Sequence, residues 1–154
     1  MEDLKFIPRF RAFIKEKKLV EVSKINFKEK YIEYFDKNNN TVIATFDEIE
    51  LSQYSGCFDT KGKEIASGDI IKIVNNESTF GKNAGEVYEI YFTQGCFRMK
   101  PKYPSSIARG LGYCLDENNI CKILGNKFEK PELLEKIYFL GNIMGGKLLE
   151  KIYK

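Results

Sequence analysis

Gln53-Tyr54-Ser55-Gly56-Cys57-Phe58-Asp59-Thr60-Lys61-Gly62-Lys63-Glu64-Ile65-Ala66-Ser67-Gly68-Asp69-Ile70-Ile71-Lys72-Ile73 is the run from which the rest of the chain is read. Asp59-Thr60-Lys61-Gly62-Lys63 has the composition of a hairpin tip, with Gly62 able to take the positive φ that a tight reversal needs. Gly68-Asp69 turns the chain again, into Ile70-Ile71-Lys72-Ile73-Val74, an apolar, β-branched strand entering a core. The run supplies folding instructions and names no reaction.

Upstream, Phe10, Ala12 and Ile14 alternate with Arg11 and Phe13, and the charged Lys15-Glu16-Lys17-Lys18 leads to Leu19-Val20-Glu21-Val22. Over so few residues the pattern at 12–20 also fits a short helix. Tyr31–Phe35 and Thr41–Phe46 flank Asp36-Lys37-Asn38-Asn39-Asn40. Asn and Asp tolerate left-handed backbone, so this segment predicts a second hairpin.

Downstream, 75–84 reads as a loop and Glu86–Phe92 as a strand. Its alternation puts Val87, Glu89 and Tyr91 on one face and Tyr88, Ile90 and Phe92 on the other. Phe97-Arg98-Met99-Lys100 reads as a further strand, and 101–118, with Pro101, Pro104, Gly110 and Gly112, as a long loop. After Ile120–Leu124, Pro131 opens a helix: its missing N–H has no partner in a first turn anyway, and Glu132 suits the positive end of the dipole. In the tail, Leu124-Gly125-Asn126 and Leu133-Leu134-Glu135-Lys136-Ile137-Tyr138 recur as Leu140-Gly141-Asn142 and Leu148-Leu149-Glu150-Lys151-Ile152-Tyr153. Two copies are too few for a solenoid, so this is a local tandem duplication that adds a second short amphipathic helix.

At 154 residues, 43% apolar and 31% charged, the chain fits an ordinary globular protein of one main body. Twelve Phe and nine Tyr, with no Trp, favour strands. A net charge of +3 is too small to imply a nucleic-acid partner. The acidic part is 41–80, with three basic and seven acidic side chains, and the ends are basic. No apolar run approaches the ~18–20 residues a membrane span requires. Without a secretory h-region at its start, the chain is expected in the cytoplasm of a bacterial host, with its thiols reduced.

Three ordered segments resemble the YopX family, proteins of phages and prophages whose biochemical role is uncharacterised. Arg9-Phe10-Arg11-Ala12-Phe13 is similar to the family's Lys-Phe-Arg-Ala-Trp opening, with Phe13 where Trp is usual. Gln53-Tyr54-Ser55-Gly56, Asp59–Ile65 and Gly68-Asp69-Ile70-Ile71 resemble its Gln-Tyr-Thr-Gly, Asp-Lys-Asn-Gly-Lys-Glu-Ile and Gly-Asp-Ile-Val segments. Leu124-Gly125-Asn126-Lys127-Phe128-Glu129-Lys130-Pro131-Glu132-Leu133-Leu134 is similar to its Ile-Gly-Asn-Ile-Tyr-Glu-Asn-Pro-Glu-Leu-Leu ending. The resemblance carries no catalytic residue across.

The chain has no histidine, which removes Ser-His-Asp and Cys-His nucleophilic sites and every His-containing metal site. Acid–base work would fall to carboxylates, Lys, Tyr or Cys, and no paired-carboxylate spacing stands out. Cys57, Cys96, Cys114 and Cys121 leave a four-thiolate zinc site as the main transition-metal option. Free Cys is among the most buried residue types, so four core thiols are the better reading. Gly141–Lys147 matches seven positions of a phosphate-binding loop, but Leu148 stands where Ser or Thr would hold Mg²⁺, and the match is set aside. Phe97, Arg98, Lys100, Lys102, Tyr103 and Arg109 mix cations with aromatics, a combination that can hold phosphate and stack a base; a solvated loop edge is the blander and favoured reading.

The expected fold is mainly β (α+β): N-terminal β-hairpins over 1–52, a small, partly open SH3-like barrel over 53–128, and one or two short C-terminal helices over 129–154. The expected function is that of a non-enzymatic phage or prophage accessory protein without cofactor, metal or membrane contact, a binding or assembly module for a protein partner or itself. Leu133, Leu134, Leu148 and Leu149 are the candidate homo-oligomer contacts, because two short helices must dock somewhere; docking of both on their own barrel is the blander reading. The alternative is a nucleic-acid-binding protein using 97–109.

Overall fold

The computed structural model describes residues 7–15, 18–74, 87–101, 113–114 and 120–134. The loop at 75–84, the phosphate-loop-like segment at 141–147 and the second copy of the duplicated tail lie outside the described residues. The chain divides into two compact units, 1–54 and 55–154. In order come β1 (Phe10–Ile14), β2 (Lys18–Asn26), β3 (Tyr31–Phe35), β4 (Thr41–Thr45), a 3-10 turn (Phe46–Glu48), β5 (Ile49–Phe58), β6 (Glu64–Ala66), β7 (Asp69–Ile73), β8 (Val87–Thr93), β9 (Cys96–Pro101), β10 (Tyr113–Cys114) and β11 (Cys121–Asn126).

In the first unit the antiparallel order is β4-β3-β2-β1-β5. β1 has a ladder on both sides, with Ala12 opposite Val20 and Leu51. Those pairings satisfy its backbone along both edges, which no local pattern reveals, and they settle 10–14 and 18–26 as strands rather than a helix. One face buries Ala12, Val20, Ile32 and Ala44 against Ile14, Val22, Ile25, Tyr34, Phe46 and Ile49.

Both expected hairpin tips are present and use one device. Asp36 Oδ1 accepts from the N–H of Asn38 (2.8 Å) and Asn40 (2.9 Å), and Asn39 takes φ 63°. Asp59 Oδ1 accepts from Lys61 and Lys63, each at 2.9 Å, and Gly62 takes φ 76°. In each, a carboxylate replaces the ladder partners the turn has removed, and the fourth residue supplies the left-handed step. A third reversal, Gln94-Gly95 at φ 49° and 75°, joins Thr93 to Cys96. A two-residue turn ending in Gly between apolar runs is the hairpin signal that the sequence reading passed over.

In the second unit the antiparallel order is β10-β9-β8-β7-β11. Ile65, Ile71, Ile73, Tyr88, Ile90, Met99 and Cys121 are buried on one side, with Cys57, Phe97 and Ile123 against them. On the other side Ile70 and Val87 pack with Leu124, Leu133 and Leu134. Apolar cover on both faces explains why Val87 and Tyr88 are both buried, and Phe92, beyond that cover, is 46% exposed. Helical backbone begins at 132, just after Pro131 as expected.

The fold is mainly β, but its sheets are open and no closed barrel forms among the described residues. Of the strands within 53–128, β7, β8, β9 and β11 share one sheet in the order β9-β8-β7-β11, and β6 does not join it. That strand is three residues long and lies beside β5 in the first sheet, so the turn at Gly68 moves the chain between sheets. No helix among the described residues is long and apolar enough to cross a membrane.

Candidate binding surfaces

On the first sheet, the face opposite the apolar core carries a charged cluster. Arg11 lies directly across from Glu21 on β2 and Ser52 on β5. It is 2% exposed, and its Nε donates to Ser52 Oγ at 3.1 Å. The Tyr54 ring lies under two guanidinium groups, 4.9 Å from Arg9 and 5.7 Å from Arg11. Tyr54 donates its hydroxyl to the Glu21 carboxylate. Burial pushes the Tyr54 phenol up to about 12, helped by the Glu21 hydrogen bond and charge. Alternation places Arg11 away from the core, yet the cross-strand neighbours bury it; its charge is balanced by Glu21 and spread over the ring. This cluster joins two of the segments that carried the resemblance, 9–13 and 53–56, and its polar groups serve each other.

At the end of this sheet β4 pairs only with β3 among the described strands. Its sequence, Thr41-Val42-Ile43-Ala44-Thr45, has no charge and no Pro, the two commonest guards of an edge strand. Ile43 lies opposite Glu33, and so shares a face with Phe35. These side chains are 60% and 55% exposed.

In the second unit, Phe97, Arg98 and Lys100 sit on β9, and strand alternation divides them. Phe97 turns to the apolar core and packs on Phe92 with ring centroids 4.9 Å apart. Arg98 and Lys100 share the opposite face, with Arg98 across from Tyr91 and Cys114 and Lys100 across from Glu89. Lys102, Tyr103 and Arg109 lie outside the described residues. On that same face Lys72 of β7 stands directly opposite Lys122 of β11. Lys127 Nζ lies 3.7 Å from Glu89 Oε1. The cations of this face thus come from three strands and a turn rather than from one loop.

Leu133 and Leu134, half-buried, pack against Ile70 and Val87 of their own unit. The start of the first helix thus finds a docking site on a sheet face. Leu148 and Leu149 lie outside the described residues. Of the cysteines, Cys121 is buried in the core of the second unit with half-buried Cys57 packed against that core, and Cys96 and Cys114 lie on the other face of the second sheet with their sulfurs 3.9 Å apart. Among the described residues no three of Cys, Asp and Glu gather as a metal site, so the four-thiolate arrangement is not assembled.

The carboxylates of the turns are engaged by the backbone. For Asp59, burial acts upward and is outweighed by hydrogen bonds from the N–H of Lys63, Ile123 and Lys61, leaving the carboxyl below its ordinary value. Glu48 is lowered by the N–H and hydroxyl of Thr45. Asp69, 1% exposed, accepts from the Ala66 N–H at 2.9 Å. These acids hold reversals in place.

A family model described as YopX protein matches residues 9–135. Among solved structures the chain is similar to protein EF1440 from Enterococcus faecalis, known from its crystal structure, with 22% identity and a TM-score of 0.53. The likeness covers 84% of this chain and 99% of that one, and it shows the fold. No curated protein matches the chain.

Proposed function

The chain belongs to the YopX family, and on that footing we propose that it is a non-enzymatic assembly module of a phage or prophage that pairs with a second copy of itself through β4. The observation that supports this reading is the unguarded outer edge of Thr41–Thr45 beside the exposed Phe35 and Ile43. An antiparallel partner centred on Ile43 sets Ile43 against its own copy, Thr41 against Thr45 and Val42 against Ala44. Each is a favourable cross-strand pair with no charge opposed. The backbone-bound acids Asp59, Asp69 and Glu48 support the non-enzymatic part. Analytical ultracentrifugation over a micromolar concentration series tests the reading. A dimer that Ile43→Lys converts to a folded monomer is the expected result; a wild type that stays monomeric throughout overturns it.

A second reading, a nucleic-acid binder, rests on the Lys72–Lys122 pairing. Like charges directly opposite across a ladder destabilise a sheet, and a polyanion would offset that cost. Arg98 and Lys100 extend the same face, and Tyr91 adds a ring for stacking. Single-stranded DNA titrated at low salt should bind, with a shallower salt dependence after Lys72→Ala with Lys122→Ala. Absence of binding to DNA and RNA at low salt removes this reading.

A further inference from the structure

Cys114 lies across from Arg98 in the β9–β10 ladder, and Cys96 is two residues before Arg98 on β9. The two thiols are therefore diagonal neighbours on one face. Their sulfurs are 3.9 Å apart, against ~2.0 Å in a bonded pair, and closing a diagonal pair draws the two-residue strand β10 toward β9. Cys114 is exposed and Cys96 half-buried. The other two cysteines behave as an internal contrast: Cys57 and Cys121 belong to the apolar core, and burial pushes the Cys121 thiol up to about 12.

We propose that Cys96 and Cys114 form a thiol–disulfide exchange site for small-molecule disulfides such as glutathione disulfide. The exposed Cys114 thiolate attacks one sulfur of glutathione disulfide, forming a mixed disulfide and expelling one glutathione thiolate, which takes up a proton. The Cys96 thiolate then attacks Cys114 Sγ, breaks the mixed disulfide and expels the second glutathione. Two protein thiols are oxidised and one glutathione disulfide is reduced to two glutathione thiols, with both protons accounted for. The product links β10 covalently to β9 and closes the chain between residues 96 and 114. Because this face also holds Arg98 and Lys100, the link sets the width of the sheet edge beside those cations.

The test is intact-protein and peptide mass spectrometry of the native full-length chain after incubation with glutathione disulfide. The expected result is loss of two hydrogens, with a single linked peptide pair containing Cys96 and Cys114, and reversal by dithiothreitol. Cys96→Ser should instead stop at one glutathione adduct on Cys114, which identifies Cys96 as the resolving thiol. A stable glutathione adduct on the wild type, a link to Cys57 or Cys121, or an unchanged mass each overturns the proposal. Circular dichroism of the Cys96→Ser variant checks that the sheet survives the substitution.

Discussion

The Phe128 ring occupies the space that a side chain at Gly68 would need: a Cβ built there would lie 2.5 Å from Phe128 Cε2 and 2.9 Å from Cζ. Gly68 has φ +87°, its N–H donates to Ile90 O at 2.7 Å, and its carbonyl accepts from Lys127 N at 2.9 Å. One residue without a side chain therefore ties the entry of β7 to β8 and to the turn after β11. This contact also joins Gly68–Ile71 to Leu124–Leu134, two segments that the family shares.

Gly68→Ala should cost about 1–3 kcal/mol from left-handed backbone strain, and more from displacing the Phe128 ring. Gly62 is the comparison, because its φ is +76° but an added Cβ meets nothing within 4 Å. Gly62→Ala should therefore show the strain alone. Urea unfolding of both variants measures the difference, and equal losses would mean that Phe128 does not pack on Gly68.

Tyr54 predicts a stability difference at alkaline pH. Its folded value is raised to about 12, so its contribution is fully present below the unfolded value of ~10 and is lost as pH rises through the folded one. The stability gap between wild type and Tyr54→Phe should be constant below that window and shrink across it. Absorbance titration should show a late phenol in wild type that is absent in the variant.

Asp59 acts at the other end of the scale. Its carboxyl is held low, so its contribution is present above the unfolded value of ~3.9 and is lost as pH falls through the folded one. Asp59→Asn keeps the shape but turns a donor toward a donor, and should cost about 1–3 kcal/mol at neutral pH. Chemical denaturation as a function of pH should give the variant a flatter acid limb than wild type.

Lys122→Glu separates stability from binding. Setting an opposite charge across from Lys72 should stabilise the second unit by about 0.2–1 kcal/mol at low salt. The same change should weaken any polyanion binding on that face. Thermal unfolding at low and high salt checks the first part, and a variant no more stable than wild type would contradict the Lys72–Lys122 register.

Features governed by neighbours along the chain were legible. The Asp36 and Asp59 reversals each lie within five residues and are closed by the side chain of their own first residue. The helical start after Pro131 is likewise local. Of the cation–aromatic grouping over 97–109, Phe97 parts from Arg98 and Lys100 because adjacent residues on a strand face opposite ways. A strand assignment there already implied the split of Phe97 from Arg98. The burial of Arg11 could not be read, since alternation assigns it to an outer face and only β2 and β5 together enclose it.

Composition, periodicity and turn chemistry established a mainly β chain and the absence of histidine chemistry, and three ordered segments carried the family resemblance. Those properties follow from short-range sterics and residue type, which are written residue by residue. The tertiary structure was needed to show which strands share a sheet, to place Leu133 and Leu134 against Ile70 and Val87, and to bring Lys72 to Lys122 and Cys96 to Cys114. Each depends on which strand edges pair and in what register, and ladder hydrogen bonds are nearly the same for every sequence. Only the packing of whole faces against each other selects among those pairings.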